Sequence, residues 1–441
     1  MVSRNELGIR FLLRWTIQAV ISGLIAASLV HLFDATLRLL WSWREVSGFS
    51  PIPLAIAAAL VTGFVLYRIA PTAAGEGIPA YLDAIRDRDA ALPLRDTIVK
   101  YPAALLSLGF YGSGGIVGPL GRVVSGFAQA ITTWLQHRFP HLFADGDTAS
   151  AHYHAPTTAA ISGMAAAVAA IFHAPIAGAV FAVEIIQSDQ LRYHQLFPAV
   201  LASVGAVFFM DLFGWPAPLW AIVPSLEPDT LNIVPVIIVG LFSGSIGRFY
   251  TGFYRVLARR MGRYNRKNRT VRLIFGMTAA ASLSILVHPA IGGTSPEIPI
   301  ILGLGDVTRL QVPWIPWTGA LLLIVIMVVK IVANCVTVAS GMSAGFTGPA
   351  ALVGMLAGAA VALAFGYEPG GYTYTTLVVA GFAGTLASTM NIPLAASILA
   401  MEVFAPSFGV PAGLASILGF QTARYNTIYE VALETRRRAK L

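Results

Sequence analysis

The sequence reads Gly112-Ser113-Gly114-Gly115-Ile116-Val117-Gly118-Pro119-Leu120-Gly121-Arg122 inside a long apolar region, with five glycines and one proline among these residues. Backbone that faces lipid must satisfy its own hydrogen bonds, so such a cluster of helix breakers is tolerated only inside protein or beside a water-filled cavity. The pattern recurs 230 residues later, where Gly115-Ile116-Val117-Gly118-Pro119 is matched by Gly345-Phe346-Thr347-Gly348-Pro349. Broken membrane segments in corresponding positions of two halves indicate a transport site.

The composition is that of a membrane protein. The chain has 441 residues, of which 56% are hydrophobic and 11% are charged, and its mean hydropathy is +0.72. Soluble domains carry about 25% charged residues, so we predict a chain that crosses the membrane several times. The single cysteine, Cys335, excludes an internal disulfide and any CxxC motif. The one G-x-S-x-G match, Gly341–Gly345, lies in a membrane segment without strands, so we expect no enzyme. His137, His141, His152 and His154 are scattered in a hydrophilic connector, so we expect no metal site, and we expect no cofactor.

Basic residues are concentrated in three regions, which are the N-terminus, residues 255–272 and the C-terminal tail. Under the positive-inside rule all three lie in the cytoplasm, so the net charge of +8 sets topology rather than indicating nucleic acid. We predict one membrane domain over 1–441, with a first repeat half at 1–254, a basic cytoplasmic linker at 255–272 and a second repeat half at 273–441. No long polar segment follows residue 425, so we expect no C-terminal regulatory domain.

A second repeat supports two homologous halves. The segment His173–Glu184 matches Asn391–Glu402, with proline, alanine and a closing glutamate at the same offsets, 218 residues apart. Each copy follows the Gly-x-x-Gly-Pro motif of its own half. Several apolar runs are too short or too interrupted to be plain spans, so we predict an all-α fold of many tilted and re-entrant helices. Whether the halves are parallel or inverted depends on the number of spans between them, which the pattern leaves open.

Three glycine-bearing clusters, 75–79, 112–119 and 341–349, lie at predicted ends of membrane helices. Unsatisfied N–H groups and the positive end of the helix dipole make such N-termini suitable for an anion. Without a full positive charge, the site can hold a monovalent anion and still release it. The alternative is that these glycines only allow helices to pack closely. The threefold occurrence and the repeat favour an anion site.

These residues resemble the CLC family of chloride channels and chloride/proton antiporters over nearly the whole chain. The family's first signature, Gly-Ser-Gly-Ile-Pro, is similar to Gly75-Glu76-Gly77-Ile78-Pro79. Its second, Gly-Arg/Lys-Glu-Gly-Pro, resembles Gly115–Pro119, and its third, Gly-x-Phe-x-Pro, resembles Gly345–Pro349. The family's Asn-Ala-Pro-Leu-Ala-Gly segment is similar to His173–Gly178. Its late pathway tyrosine corresponds to Tyr429, with Tyr425 as the weaker match.

The resemblance implies an all-helical homodimer with one ion pathway per subunit and two inverted-topology halves within each. It also implies a chloride site built from backbone amides at helix N-termini together with serine and tyrosine hydroxyls. The residues expected at the anion site and pathway are Glu76, Gly77, Ile78, Gly115, Ile116, Val117, Gly118, Pro119, Gly345, Phe346, Thr347 and Tyr429. The candidate gate residues are Glu76 and Val117.

Two departures from the family pattern concern proton coupling. The glutamate of the second signature, which is the gate and proton carrier of the antiporters, is replaced by Val117. The internal proton glutamate would directly follow Glu184, and that residue is Ile185. Kidney-type family members also have valine at the gate and act as channels. The resemblance therefore favours a passive, uncoupled anion pathway.

A third departure is Glu76, which stands where the family has a serine that donates to the central anion. An ionised carboxylate there would repel chloride. Because burial disfavours the charged form of a carboxyl group, a protonated Glu76 could instead donate a hydrogen bond. We therefore hypothesise a displaced gate that blocks the site when charged and admits an anion when protonated. The alternative is that Glu76 turns away and caps a helix N-terminus.

The sequence thus predicts passive, proton-uncoupled transport of chloride or a similar monovalent anion. One alternative is an anion/proton antiporter with Glu76 as the relocated coupling gate. Another is a non-conducting or altered-substrate relative whose site no longer binds halide. The expected partners are the lipid bilayer, small inorganic anions and a second copy of the chain, with no nucleic acid. The expected location is a prokaryotic inner (plasma) membrane, with both termini cytoplasmic.

Overall fold

The computed structural model describes residues 4–86, 91–140, 155–186, 193–218, 233–263, 268–286, 319–424, 427–432 and 434. Nearly all of these residues are helical, and they contain no strand beyond one isolated backbone bridge. The α-helices are α1 (Arg4–Ser47), α2 (Pro51–Ile69), α3 (Ile78–Arg86), α4 (Leu94–Gly109), α5 (Val117–Arg138), α6 (Ala155–Phe172), α7 (Pro175–Glu184), α8 (Tyr193–Leu212), α9 (Ile233–Arg263), α10 (Arg269–Leu286), α11 (Ala320–Ser340), α12 (Thr347–Ala364), α13 (Tyr372–Met390), α14 (Pro393–Val403) and α15 (Gly409–Ala423). The predicted all-α class is confirmed.

Within the described part of the chain, eight helices are long and apolar enough to cross a membrane. They are α1 from Leu12, α2, α6, α8, α9 as far as Gly262, α10, α11 and α12. Other apolar helices are shorter, such as α7 with 10 residues and α14 with 11. A helix needs about 20 residues to span the hydrocarbon core. The fold therefore combines full spans with partial segments, as the interrupted apolar runs predicted.

The chain folds into two compact units, and the first comprises Met1–Ala35, Ala80–Ile98 and Leu120–Trp220. In this unit α6, α7 and α8 pack against one another, and nearly every residue of α6 is buried. Alanine and glycine allow this close packing: a Cβ placed on Gly178 would lie 2.7 Å from the carbonyl oxygen of Ala165. A buried ion pair joins Arg122 Nη2 to Asp96 Oδ2 at 3.5 Å.

The second unit comprises Thr36–Pro79, Val99–Pro119 and Ala221–Leu441. Its helix α13 packs against α9, α12 and α15, while α11 packs against α10 and α12. Small residues again set the spacing, because Gly354 on α12 and Gly381 on α13 face each other with no room for a side chain at either position. All the residues that the sequence led us to expect at the anion site belong to this unit.

The 230-residue repeat is also a repeat of backbone conformation. Tyr111 (φ 69°) and Gly341 (φ 100°) occupy equivalent positions, and both adopt the left-handed conformation. Helix α5 begins at Val117 and α12 at the equivalent Thr347. In both helices a proline follows within the first turn, where its missing N–H costs no intrahelical hydrogen bond.

The 218-residue repeat behaves in the same way. His173 (φ 56°) and Asn391 (φ 63°) are both left-handed. Helices α7 and α14 then begin at Pro175 and Pro393. Proline at the first helical position already has the backbone φ that a helix needs. In both sequence repeats, a left-handed residue therefore ends one helix and a proline lies at the start of the next.

The basic segment 255–272 is largely helical where the structure describes it. Helix α9 continues to Arg263 and α10 begins at Arg269, while residues 264–267 lie outside the described part. Its basic residues therefore belong mainly to helix ends. The Gly/Pro-rich segment at 292–305, the histidines at 141, 152 and 154, and Tyr425 also lie outside the described residues.

Candidate anion site

The two Gly-x-x-Gly-Pro motifs meet in space. Gly115 and Gly345 form an isolated antiparallel bridge. Gly115 N–H donates to the Gly345 carbonyl at 2.9 Å, and Gly345 N–H donates to the Gly115 carbonyl at 2.8 Å. A Cβ on Gly115 would lie 2.7 Å from the Gly348 nitrogen, and one on Gly345 would lie 2.9 Å from the Gly115 oxygen. Glycine is therefore needed at both positions because the two backbones approach so closely.

The bridge brings the N-termini of two helices together. Helix α5 starts two residues after Gly115, and α12 starts two residues after Gly345. The first N–H groups of a helix have no intrahelical partner and carry the positive end of its dipole. Ile116, Val117, Phe346 and Thr347 are all buried. Two positive helix ends thus lie side by side in a buried, apolar environment, where an anion would offset them.

Two hydroxyl groups hold the opposing loops in a reciprocal manner. Ser113 N–H donates to Thr337 Oγ1 at 3.2 Å, and Ser343 N–H donates to Ser107 Oγ at 3.0 Å. Ser107 and Thr337 are 230 residues apart, as are Ser113 and Ser343. Each half therefore supplies the acceptor for a backbone donor of the other half. Sequence reasoning missed these hydroxyls, although extending the repeat alignment towards the N-terminus would have paired them.

Asn334 is a further residue that sequence reasoning missed. It lies on α11 and is fully buried. Its Nδ2 donates to the Ser113 carbonyl at 2.9 Å and to the Gly345 carbonyl at 3.2 Å. Its Oδ1 accepts a hydrogen bond from the Tyr250 hydroxyl. The sequence signal that could have identified it is the only amide side chain in a helix of mostly apolar residues.

The Phe346 ring lies among tyrosines. Its centroid is 4.8 Å from that of Tyr254, 6.2 Å from that of Tyr250 and 6.3 Å from that of Tyr429, each in an edge-on arrangement. The Tyr429 hydroxyl is 3.0 Å from Thr347 Oγ1, and either oxygen can be the donor. The predicted pathway tyrosine therefore lies beside the first residue of α12, and it brings a second hydroxyl to that helix end.

The Glu76 carboxyl group lies between two helix N-termini. Ile78 N–H donates to Glu76 Oε2 at 2.5 Å, so this oxygen caps the first turn of α3. The other oxygen, Oε1, lies directly against Gly118, where any Cβ would overlap it. Oε1 is buried and has no hydrogen-bond partner among the described residues. One carboxyl oxygen of Glu76 therefore caps α3, and the other lies against the first turn of α5.

The loop that carries Glu76 is fixed from two sides. Gly75 N–H donates to the Gly341 carbonyl at 2.9 Å. The buried Lys100 Nζ donates to the Ala73 carbonyl at 3.1 Å and also to the Gly75 carbonyl. Lys100 thus brings a positive charge to the Glu76 loop. An intramembrane acid and base close together normally mark a functional region.

Neither of the two positions at which the sequence comparison expected a proton-carrying acid has one. Glu184 is the last residue of α7, and Ile185 follows it as a buried aliphatic side chain. Val117 is likewise fully buried and aliphatic. Neither Val117 nor Ile185 can carry a proton. The described residues contain no group of three or more His, Cys, Asp or Glu side chains placed to hold a metal ion.

Comparisons with known proteins give a consistent result. The family model described as "Voltage gated chloride channel" matches residues 57–424. The chain is 24% identical over 427 residues to a "Chloride/fluoride channel protein" of Pseudomonas syringae pv. tomato, covering 95% of this chain and 86% of the relative. It is 25% identical over 408 residues to the "H(+)/Cl(-) exchange transporter ClcA" of Vibrio cholerae, covering 87% and 80%. Its fold is similar to the crystal structure of a CLC-type fluoride/proton antiporter, with a TM-score of 0.75, 20% identity and coverage of 98% and 99%.

Proposed function

The chain belongs to the voltage-gated chloride channel (CLC) family, and from that premise we propose that it conducts chloride or a similar monovalent anion passively, without coupling to protons. The observation that carries the proposal is the Gly115–Gly345 bridge, which brings the N-termini of α5 and α12 together. Backbone N–H groups attract an anion without a full positive charge. An anion can therefore enter and also leave, as conduction requires.

Two side chains support the absence of coupling. Coupled exchange needs a group that takes up and releases a proton during transport. Val117 at the start of α5 and Ile185 after α7 are buried aliphatic residues, so the positions expected of a relay carry no titratable group. The similar proteins include one named as a channel and one named as an exchanger.

The experiment is chloride efflux from liposomes that contain the purified protein. Valinomycin is added to carry the counter-current of potassium, and external chloride and external pH are recorded together. We expect chloride efflux down its gradient with no accompanying proton movement. Protons driven against their own gradient by the chloride gradient would overturn the proposal of an uncoupled pathway.

The position of Glu76 supports a second candidate function, which is anion/proton exchange. Its Oε1 is buried, lies against the first turn of α5 and has no hydrogen-bond partner among the described residues. A charged carboxyl group there takes the place of an anion. A protonated one carries no charge and no longer competes with the anion. In this mechanism Glu76 replaces the proton-carrying acid that position 117 lacks.

Glu76→Gln separates the two functions in the same liposome assay. If Glu76 couples the fluxes, the wild type moves protons with chloride, and the variant moves chloride alone. If the pathway is passive, neither protein moves protons. A third possibility is that the protein conducts no halide. In that case the wild type shows no chloride efflux and binds no chloride in calorimetry.

The remaining features of the proposal concern assembly and location. We propose a homodimer in a prokaryotic inner membrane, with both termini cytoplasmic and two inverted halves at 1–254 and 273–441. The basic ends of α9 and α10 support a cytoplasmic position for the connection between them. Cysteine-scanning accessibility at residues 255–272 from each side of the membrane tests that topology, and crosslinking in lipid tests the dimer.

A further inference from the structure

Asn334 connects the two loops that precede the paired helices. Its amide donates to Ser113 O at 2.9 Å, on the loop before α5, and to Gly345 O at 3.2 Å, on the loop before α12. These two acceptors are 232 residues apart in the chain. One fully buried side chain therefore ties together the backbones of both halves.

The hydrogen bond to Gly345 determines the direction of the next N–H group. In a trans peptide the C=O of one residue and the N–H of the following residue point in opposite directions. The described chain contains no cis peptide bond. The Gly345 carbonyl is held by two donors, Gly115 N–H and Asn334 Nδ2. The Phe346 N–H must therefore point away from Asn334, at the residue that precedes the first turn of α12.

The first half of the chain has no side chain equivalent to Asn334. The 230-residue repeat pairs Asn334 with Ala104, which has no side chain that can donate. The Gly115 carbonyl accepts from Gly345 N–H at 2.8 Å, and no second donor reaches it from the described residues. The two helix N-termini are therefore held unequally. The peptide before α12 has an additional anchor, and the peptide before α5 does not.

The two carbonyls fix the orientation of the Asn334 amide because they can only accept, and Tyr250 holds the amide from the other side. Its hydroxyl donates to Asn334 Oδ1, so the amide oxygen faces α9 and the amide nitrogen faces the two carbonyls. A flipped amide would place its oxygen against the two carbonyl oxygens and lose both of those hydrogen bonds, whereas the Tyr250 hydroxyl can pair with either end of the amide. The Tyr250 ring also contacts the Phe346 ring edge-on. Helix α9 thus contacts the Phe346 ring directly and supports the Phe346 backbone through Asn334.

We propose that Asn334 is a positioning residue of the anion site, which holds the Gly345–Phe346 peptide so that the Phe346 N–H faces the bound anion. This inference rests on the proposed function. Asn334 does not contact the anion itself. It acts through the peptide plane, and Tyr250 acts through Asn334.

The test uses the full-length protein in liposomes and measures two quantities for each variant. These are the chloride concentration that gives half-maximal flux and the chloride-to-nitrate permeability ratio. Asn334→Leu removes the donors at similar volume, and Asn334→Ala copies the residue at the equivalent position of the first half. We expect each to raise the half-maximal chloride concentration about 5-fold, as the loss of one hydrogen bond predicts, and to change the permeability ratio. Tyr250→Phe should change both quantities in the same direction, by about 2-fold.

Thr389→Val is the matched control, because it removes a buried hydrogen bond from Thr389 Oγ1 to Thr385 O within α13 and lies outside both loops. It should leave both quantities at the wild-type values.

A purely structural role would lower the amount of folded protein and the maximal flux of all anions equally, without a change of ratio. Wild-type values in a folded Asn334→Leu or Asn334→Ala protein would overturn the inference. If the leucine variant does not fold, the alanine variant and Tyr250→Phe decide by the same two measurements. A wild type that conducts no monovalent anion would instead contradict the proposed function.

Discussion

Replacing Glu76 by glutamine removes one charge at the start of α5 and keeps the shape of the side chain. The amide oxygen can still accept the hydrogen bond from Ile78 N–H that caps α3, which is 2.5 Å long in the wild type. The amide nitrogen would take the place of Oε1 against Gly118. The variant therefore exchanges a repelling oxygen for a hydrogen-bond donor and should leave the loop in place.

The size of the effect follows from this geometry. An anion held by the first N–H groups of α5 lies about 3 Å from those nitrogens, and thus roughly 4 Å from an oxygen in contact with Gly118. Two like charges at that separation repel by about 4 kcal/mol at an effective dielectric constant of 20. This corresponds to a factor of at most ~1000 in anion affinity when Glu76 is fully charged, because the Lys100 charge beside the same loop attracts the anion and offsets part of the repulsion. Protonation removes the charge, so the wild type should approach the variant as the pH falls.

The assay is chloride efflux from liposomes at pH 9.5 and pH 4.5, together with chloride binding by calorimetry, because burial favours the neutral carboxyl group and a high pH is needed to charge it. We expect the wild type to be slow at pH 9.5 and faster at pH 4.5, and Glu76→Gln to be fast and equal at both. Glu402→Gln makes the same chemical change on α14, outside both loops, and should retain the wild-type pH dependence. A wild-type flux that does not depend on pH, or a Glu76→Gln protein with wild-type rates, would refute the reasoning.

Three further predictions test other parts of the site and the packing around it. Gly118→Ala places a methyl group where Glu76 Oε1 lies, so it should change the pH dependence of efflux in the wild type and have a much smaller effect in a Glu76→Ser background. Thr347→Val and Tyr429→Phe each break the 3.0 Å hydroxyl pair, and each should weaken chloride binding about 5-fold by calorimetry, with the double variant no weaker than the single ones. Gly358→Ala would overlap a backbone carbonyl oxygen on α13, so it should lower the yield of monodisperse protein on size exclusion, whereas Gly252→Ala, which has open space around it, should not.

The repeated glycines allowed much of the fold to be predicted. Helix breakers in corresponding apolar segments are meaningful without knowledge of tertiary structure, because the lipid environment forbids unsatisfied backbone. The family assignment and the all-α class followed from these motifs and are confirmed. The helix starts at Val117 and Thr347 also lie within the predicted motifs. The ends of the helices within the basic segment 255–272 were not predictable in the same way, because charged residues occur in the last turns of helices as readily as in loops.

The candidate site was predictable where backbone chemistry decides it, and not where side chains from distant segments meet. Sequence reasoning named Glu76 but left open whether it gates the anion site or caps a helix; in the structure one carboxyl oxygen caps α3 and the other lies against Gly118. It did not find Asn334 or Tyr250, whose hydrogen bond joins residues 84 apart. A single amide in an apolar helix has no periodicity of its own. Its partners are defined only when the whole chain has folded.

The Gly115–Gly345 bridge also has a consequence for the order in which the protein is made. The donor and acceptor of Gly115 find their partners only after 230 more residues have been synthesised. At ~5–20 residues per second, that interval is roughly 10–50 s. During this time the first glycine loop must be kept hydrated or shielded by the insertion machinery, because unpaired backbone is costly in lipid. A chain that stops before residue 345 therefore leaves both backbone groups of Gly115 without the partners that the finished protein provides.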